Sequence, residues 1–386
     1  MKKIPIDSIR VHFADLSDPR VDRTQHHDLM NILTIALCAA LGGADSWVQT
    51  EEFGNAKLDF FRSFLDLPAD PHAIPSHDTF GRVFAALDPE GLERCLLNWV
   101  MGLAQDLAGE VVAIDGKALR RSLDRRSGKN PLHIVSAWAA ESGLVLGQVA
   151  TEAKSNEITA IPELVEMLDL KGATVTIDAM GCQKEIARKI VDKRADYVLA
   201  VKDNQPKLRE DVERIMAEAM DRGDPVGCRY HETTEKEHGR IETRKVWSTS
   251  VRGRLWQGGQ DKDWPGLSGV VLIESQRTEN QETSVERRYF ITSRSGVEEH
   301  AARHLGHIIR QHWAIENRLH WVLDMAFDED RCRVRMGQGA RNLAVLRKIA
   351  LNLLKRETSS KVGVQSKRRR AGWDDAYLLK VLARAI

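Results

Sequence analysis

The chain has 386 residues, 42% hydrophobic and 29% charged, the balance of a folded globular protein long enough for two or three domains. With 57 basic against 56 acidic residues the net charge is +1, so no overall field marks a nucleic-acid partner and any such signal must be local. The five cysteines (38, 95, 182, 228 and 332) are scattered and lack Cys-x-x-Cys spacing, which argues against a disulfide framework and a structural zinc. The N-terminus has no apolar run for a signal peptide. The best apolar stretch, Met30 to Ala44, is too short to span a bilayer and carries Asn31 and Thr34. A cytoplasmic protein is expected.

Residues 1–103 read as helices: Asp28 to Leu41 with a stop at Gly42-Gly43, Asp45 to Phe64, a helix opened by Ser76, and one from Pro89 to Leu107. His26, His27 and His77 have no acidic or cysteine partner at metal spacing and read as surface or capping residues. From Val111 the pattern becomes β. Val111-Val112-Ala113-Ile114 is a buried strand ending in Asp115, with Gly116 as a tight turn; strands around 133–139 and 144–149 complete an antiparallel meander. A helix over 158–168, a strand through Thr174-Val175-Thr176-Ile177 ending in Asp178, a helix over 183–194 and a strand over 196–201 follow. That order gives a mixed sheet with helices on its faces. Residues 206–290 read as a β-rich insertion or lid, 301–326 as one long helix, 339–356 as a second, and 357–370 as a polar, basic tail before a short final helix.

Two strands that each end in Ile-Asp place two carboxylates at adjacent strand ends, where hard cations such as Mg2+ take oxygen ligands. One Asp-Gly alone is an ordinary turn; the pair points to metal. A two-metal site calls for a third acid. Glu316 lies at the edge of the apolar face of the 301–326 helix, while Asp328, Glu329 and Asp330 sit where that helix should end and read as a solvated acidic terminus. His312, Glu316 and His320 also stand four residues apart, but three ligands along one straight helix do not converge on a tetrahedral zinc. Positive charge is concentrated in two places: six basic residues over 117–129 and seven over 355–370.

Asp115 in IDGK, Asp178 in TIDAMGCQ and Glu316 in HWAIENRLHWVLD resemble the Asp-Asp-Glu triad of DDE transposases. KSNEITAIP (154–162), DYVLAVKDNQ (196–205), HGRIETR (238–244), KRRRAGWDDAYLLKVL (367–382) and PSHDTFGRVFAALDP (75–89) extend the likeness over nearly the whole chain. They bring it close to the insertion-sequence transposases that include the H-repeat-associated proteins. The spacing, 63 residues between the aspartates and 138 on to Glu316, leaves room for the β-rich insertion known in related transposases.

The resemblance implies an α/β protein with an RNase H-like core over 104–205 and 291–356. A helical N-terminal domain (1–103), a β-rich insertion (206–290) and a basic tail (357–386) complete it. It implies DNA cleavage and strand transfer with two Mg2+ ions, or Mn2+ in their place, held by Asp115, Asp178 and Glu316. The partners it implies are terminal inverted repeats and target DNA, bound by a homodimer on paired ends. Lys117, Arg120, Arg121, Lys202, Lys367, Arg368, Arg369 and Arg370 are the expected phosphate contacts. Relatives that cut through a DNA hairpin carry Y-x2-R-x3-E-x6-K; here Ile309, His312 and Leu323 fill the slots around Glu316, so that route is not implied. A relic that binds DNA without cutting, and a nuclease without strand transfer, are the competing readings.

Overall fold

A computed structural model describes residues 7–383, apart from 22, 24, 70, 104–106, 124–127, 129, 152–156, 222–226, 238–239, 253–255, 257–262 and 280–281. Arg125, Arg126 and Lys129 of the first basic stretch, and parts of the 154–162 and 238–244 motifs, lie outside the described residues.

Six helices come first: α1 (Asp7–Phe13), α2 (Leu29–Leu41), α3 (Trp47–Ala56), α4 (Leu58–Arg62), α5 (His77–Ala86) and α6 (Pro89–Leu103). Their starts follow the capping residues: the Asp28 carboxylate accepts from the amides of Met30 and Asn31, and Ser76 Oγ accepts from Thr79. Then come β1 (Val111–Leu119), β2 (Leu132–Ala139), β3 (Leu144–Thr151), α7 (Glu157–Met167), β4 (Thr174–Ile177), α8 (Lys184–Asp192), β5 (Asp196–Val201) and α9 (Pro206–Asp221). Four long strands follow, β6 (Cys228–Glu237), β7 (Arg240–Ser250), β8 (Gly269–Glu279) and β9 (Glu282–Thr292). The chain closes with α10 (Ala301–His312), α11 (Trp321–Phe327), α12 (Gly339–Arg356), α13 (Val364–Trp373) and α14 (Asp375–Leu382).

All nine strands form one sheet in the order β3-β2-β1-β4-β5-β9-β8-β7-β6. β1, β4 and β5 run parallel and every other neighbour is antiparallel. Residues 111–114 and 174–177 are buried throughout, as central strands covered on both faces must be. β9 pairs with both β5 and β8, so the strands of the 206–290 stretch extend the sheet edge to edge instead of forming a separate lid. The outermost strand, β6, carries charge along its length (HETTEKE), which blunts a free edge.

Helix α12 is the axle of the molecule. Its apolar residues join those of α2, α5, α6 and the sheet in one continuous core. Its polar residues tie the parts together. Asn352 pairs with both main-chain groups of Val145 on β3, at 2.9 Å each, and Asn342 donates to the carbonyls of Phe84 and Leu87 at the end of α5. Lys348 donates to Gln148 (2.6 Å), which donates to Glu93 of α6 (2.9 Å), itself clamped by Arg341. The N-terminal helices are thus tied, through α12 and α6, to the edge strand β3. Among the described residues no helix is long and apolar enough to cross a membrane.

Three expectations are corrected. Gly116 does not turn the chain, because β1 runs through it to Leu119 in regular register with β2. The 301–326 stretch is not one regular helix; between α10 and α11 the backbone winds wider, as a π turn over Glu316–His320. The 357–370 stretch is not a solvated tail, since α13 packs against α2, α11 and α12 and buries Lys367 and Arg368.

Candidate active site

β1 and β4 are parallel neighbours with Ile114 opposite Ile177; β4 ends there, so Asp178 leaves the sheet beside Asp115, which stays on β1 opposite Ser136 of β2. The two Ile-Asp endings meet because a crossover through β2, β3 and α7 returns the chain beside the strand it left. Asp178 then opens a 3-10 turn, its carboxylate accepting from the amides of Met180 (3.0 Å) and Gly181 (3.4 Å). α10 packs across β1 and β4 and delivers the π turn, with Glu316 at its start, near Asp115 of β1 and the end of β4. A π turn inserts one residue into the helical ladder, a feature that recurs at functional sites.

Two histidines fasten this helix to the strands. His312 Nδ1 lies 3.0 Å from Thr176 Oγ1, two residues before Asp178. His320 Nδ1 lies 3.6 Å from Asp115 Oδ2. Burial pushes His320 down to about 3, with Lys117 adding to the effect, so the contact is a neutral imidazole beside the carboxyl and not an ion pair. Burial likewise lowers His312. The zinc reading is set aside, since the two rings face different strand ends. The sequence-based ground against it, a straight helix, does not hold, since the helix widens over Glu316–His320.

Asp115 is raised from 3.8 to about 7, first by burial and then by the charges of Asp178, Glu316 and Glu157, against a backbone hydrogen bond from Gly116 that lowers it. The three acids of the triad are therefore electrostatic neighbours. They are also the carboxylates that could hold a divalent ion, although among the described residues no three acidic, histidine or cysteine groups converge tightly enough to enclose one. The elevation carries a stability sign. The fold binds the Asp115 proton more tightly than the unfolded chain does, so this contribution is whole below pH 3.8 and is lost as pH rises through about 7. In metal-free buffer Asp115→Asn, uncharged throughout, is expected to gain on the wild type between about pH 5 and pH 8, by roughly 2–3 kcal/mol at most. Urea unfolding at the two pH values checks this; a difference that stays constant would contradict the assignment.

The expected phosphate contacts divide sharply. Lys117, two residues past Asp115, is bound to Asp324 and to Glu329 (2.9 Å), with Asp330 at 3.9 Å. Burial pulls its ammonium down, but these carboxylates outweigh it and hold the pKa above the ordinary lysine value. Lys117 is a strut between β1 and the end of α11, and is withdrawn as a phosphate contact. Lys367 donates to the carbonyls of Leu354 (2.9 Å) and Glu357, and Arg368 donates to three more carbonyls from inside the protein; neither is free to meet DNA. Arg120, Arg121, Lys202, Arg369 and Arg370 are exposed. Arg120 lies 3.4 Å from Asp330, and Arg370 folds over Tyr377 and toward Asp374.

The acidic terminus at 328–330 is not solvated either. Glu329 is 2% exposed, and Lys117, Lys348 and Arg347 outweigh its burial to keep it below the usual carboxylate range. Among the histidines, exposed His77 pairs with half-buried Glu51 at 2.6 Å. Sequence reasoning missed His320 as a neighbour of Asp115, and it missed Glu157. The only trace of Glu157 was its place in the first turn of a helix that follows β3.

Asp115 and Asp178 thus stand side by side where β4 ends against β1, with Glu316 as their electrostatic neighbour from the turn above. Residues 106–353 match the family model described as "Transposase DDE domain", and residues 10–100 the one described as "DDE_Tnp_1-associated". A protein of Escherichia coli named "Putative transposase YncI" is 40% identical over 384 residues, covering 98% of this chain and 95% of that one. Another from Escherichia coli, "H repeat-associated putative transposase YhhI", is 37% identical over 376 residues, 96% of this chain and 97% of the relative. An "Uncharacterized protein in dhlA 3'region" of Xanthobacter autotrophicus is 45% identical over 285 residues, 73% of this chain and 92% of its own length. The chain belongs to the family of transposases with a DDE domain.

Proposed function

We propose that the protein is a DNA transposase that cleaves at terminal inverted repeats and joins the freed ends to target DNA, acting in the bacterial cytoplasm. The observation that carries this reading is that Asp115, on β1, and Asp178, just past the end of the parallel neighbour β4, lie close to the turn that bears Glu316. The strand order β3-β2-β1-β4-β5, three antiparallel strands followed by two parallel crossovers, supports an RNase H-like core for residues 104–205 and 291–356.

The donor set fits Mg2+, or Mn2+ in its place: three carboxylates offer hard oxygen ligands, and the raised Asp115 carboxyl marks a place where a cation would offset crowded negative charge. Asp115, Asp178 and Glu316 would hold two such ions, which when bound activate water and stabilise the leaving 3′-oxygen. The rest falls to the chain itself. Thr176 and His312 hold the Glu316 turn over β4, and His320 seats it against Asp115. The strut from Lys117 to Asp324 and Glu329 fixes the other end of the same helix. The freed 3′-hydroxyl replaces water as nucleophile, so no side chain forms a covalent bond to DNA. Two ends must be cut together, which calls for a homodimer.

Arg120, Arg121, Lys202, Arg369 and Arg370 are the exposed cations available to the DNA backbone. Changing Arg120, Arg121 and Lys202 together to Ala is expected to weaken specific and random duplexes alike. The slope of log affinity against log salt should flatten by about 0.9 per contact, roughly 2–3 in all. An unchanged slope would leave these three as solvated surface.

Incubation with supercoiled plasmids, with and without the element's inverted repeats, tests the function. Mg2+-dependent cutting confined to the repeat-bearing plasmid, followed by joining to a second DNA, is the expected result. Cutting of both plasmids alike would mean a nuclease without strand transfer, and binding without cutting a relic.

A further inference from the structure

Past the buried Glu329 the chain runs extended toward α12, and its side chains alternate. Arg331, Arg333 and Arg335 are exposed, while Cys332 and Val334 between them are half-buried and pack against the core. Both ends of this segment are fixed. The amides of Arg331 and Cys332 donate to the carbonyls of Asp328 and Glu329, at 3.1 Å each, and that of Gln338 donates to the carbonyl of Ala85 at 2.9 Å. A Cβ built on Gly337, whose φ is +50°, would overlap the same Ala85 carbonyl, so the turn into α12 needs a glycine there.

A second pair of arginines is brought alongside. The 3-10 turn Arg120–Ser122, where β1 runs out, packs on the 3-10 turn Glu329–Arg331, and Arg335 Nε donates to the carbonyl of Arg121 at 3.0 Å. Leu119, just before that turn, packs with Ala344 of α12. Five exposed arginines thus share one surface. Two half-buried acids border it, Asp330 at 3.4 Å from Arg120 and Asp328 at 3.7 Å from Arg331, while Asp324 and Glu329 are taken up by Lys117. Five arginines against two acids leave positive charge in excess, and gathering like charges works against the folded state unless an anion offsets it. All five are arginine and none is lysine, and the planar arginine fork matches a phosphate with two parallel hydrogen bonds.

We propose that Arg331, Arg333 and Arg335, with Arg120 and Arg121, form a phosphate clamp on the duplex that is cut at Asp115. This rests on the reading of the protein as a transposase, and names the surface over which the duplex leaves the site. Asp115 and Leu119 lie four positions apart on β1, roughly 13 Å of extended strand. The clamp therefore meets the backbone about four base pairs from the scissile phosphate, at about 3.4 Å of axis per pair. Because the segment is pinned at both ends, its main chain is ordered before DNA arrives and little freedom is lost on binding.

Binding of the full chain to a duplex carrying the inverted-repeat end and its flank, measured against salt, tests it. Replacing Arg331, Arg333 and Arg335 together by Gln removes the charge and keeps a polar side chain at each position. The slope of log affinity against log salt is expected to flatten by about 0.9 per contact, roughly 2–3 in all. Neutral methylphosphonate linkages about four base pairs to one side of the cut should weaken the wild type and leave the triple variant unmoved. The side that responds, repeat or flank, shows which way the duplex runs. Urea unfolding establishes that the variant is folded. If it is not, because Arg335 also holds the Arg121 turn, Arg331→Gln combined with Arg333→Gln decides, with a slope change of roughly 1–2. An unchanged slope in a folded variant, or an equal response of both proteins to the neutral linkages, would overturn the clamp. Continued cutting of repeat-bearing DNA by that variant would leave the transposase reading standing. A wild type that binds no duplex would instead bring down the transposase reading, and this proposal with it.

Discussion

Replacing Asp115 by Asn, Asp178 by Asn or Glu316 by Gln is expected to abolish cleavage at the repeat ends while leaving their binding close to wild type. Each change keeps the side chain's shape and removes only the charge that grips a cation. Transition-state stabilisation by such ions amounts to several kcal/mol, so cutting should fall by on the order of a thousandfold or more. DNA affinity rests on other residues, the exposed arginines and Lys202, and should not follow. Gel shift and cleavage measured on the same preparations check the division. Retained cutting by one variant would remove that residue from the active site, and an equal loss of binding would mean that its role is structural or in direct DNA contact.

The second large effect is expected at Arg368, one position from a residue expected to show almost none. The Arg368 side chain is inside the protein, with Nε on the carbonyl of Ala40 (2.8 Å), Nη1 on that of Ala326 and Nη2 on Ala44 (3.2 Å) and Asp45 (2.9 Å). Its guanidinium also covers the ring of Phe327 at 4.2 Å. It thus satisfies carbonyls at the C-terminal ends of α2 and α11, groups a helix cannot satisfy by itself. Arg368→Ala strands those carbonyls and Asp45, and hydrogen bonds from a charged donor are worth about 1.5–3 kcal/mol each when a partner is removed. A loss of roughly 3 kcal/mol or more in urea unfolding is expected. Cleavage should suffer too, because α11 continues from the turn that carries Glu316. Arg369→Ala, at an exposed position, should stay within about 0.5 kcal/mol. Equal stability of the two variants would refute the buried role.

The contrast between these neighbours shows where the sequence could be read and where it could not. Strands β1, β4 and β5 announced themselves as β-branched runs, and β5 begins and ends where its pattern does. The helix starts at Leu29 and His77 follow from Asp28 and Ser76, because capping is a local interaction. Long-range pairing has no such local mark. Lys367 and Arg368 look like any basic run until α13 folds over α2 and α11, and only then do they find main-chain carbonyls to bind.

The same holds at the site. A pair of Ile-Asp endings pointed to Asp115 and Asp178, but nothing in the periodicity of 301–326 showed that the helix widens at Glu316, because a π turn keeps the composition of an α-helix. Lys117 was legible as a cation and not as a strut, since its partners lie 207 and 212 residues away. Glu157 was legible only as a helix-opening acid; the gap that admits it is the missing side chain of a glycine on another element.

The central claim is that Asp115, Asp178 and Glu316 form one divalent-cation site. The most direct measurement is the anomalous scattering of Mn2+ in crystals of the full chain with a duplex carrying the inverted-repeat end. Mn2+ peaks between Asp115 and Asp178, with Glu316 on the nearer ion, are the expected result, paired ions lying about 4 Å apart. Peaks at Asp324, Glu329 and Asp330 with none at Asp115 would contradict it.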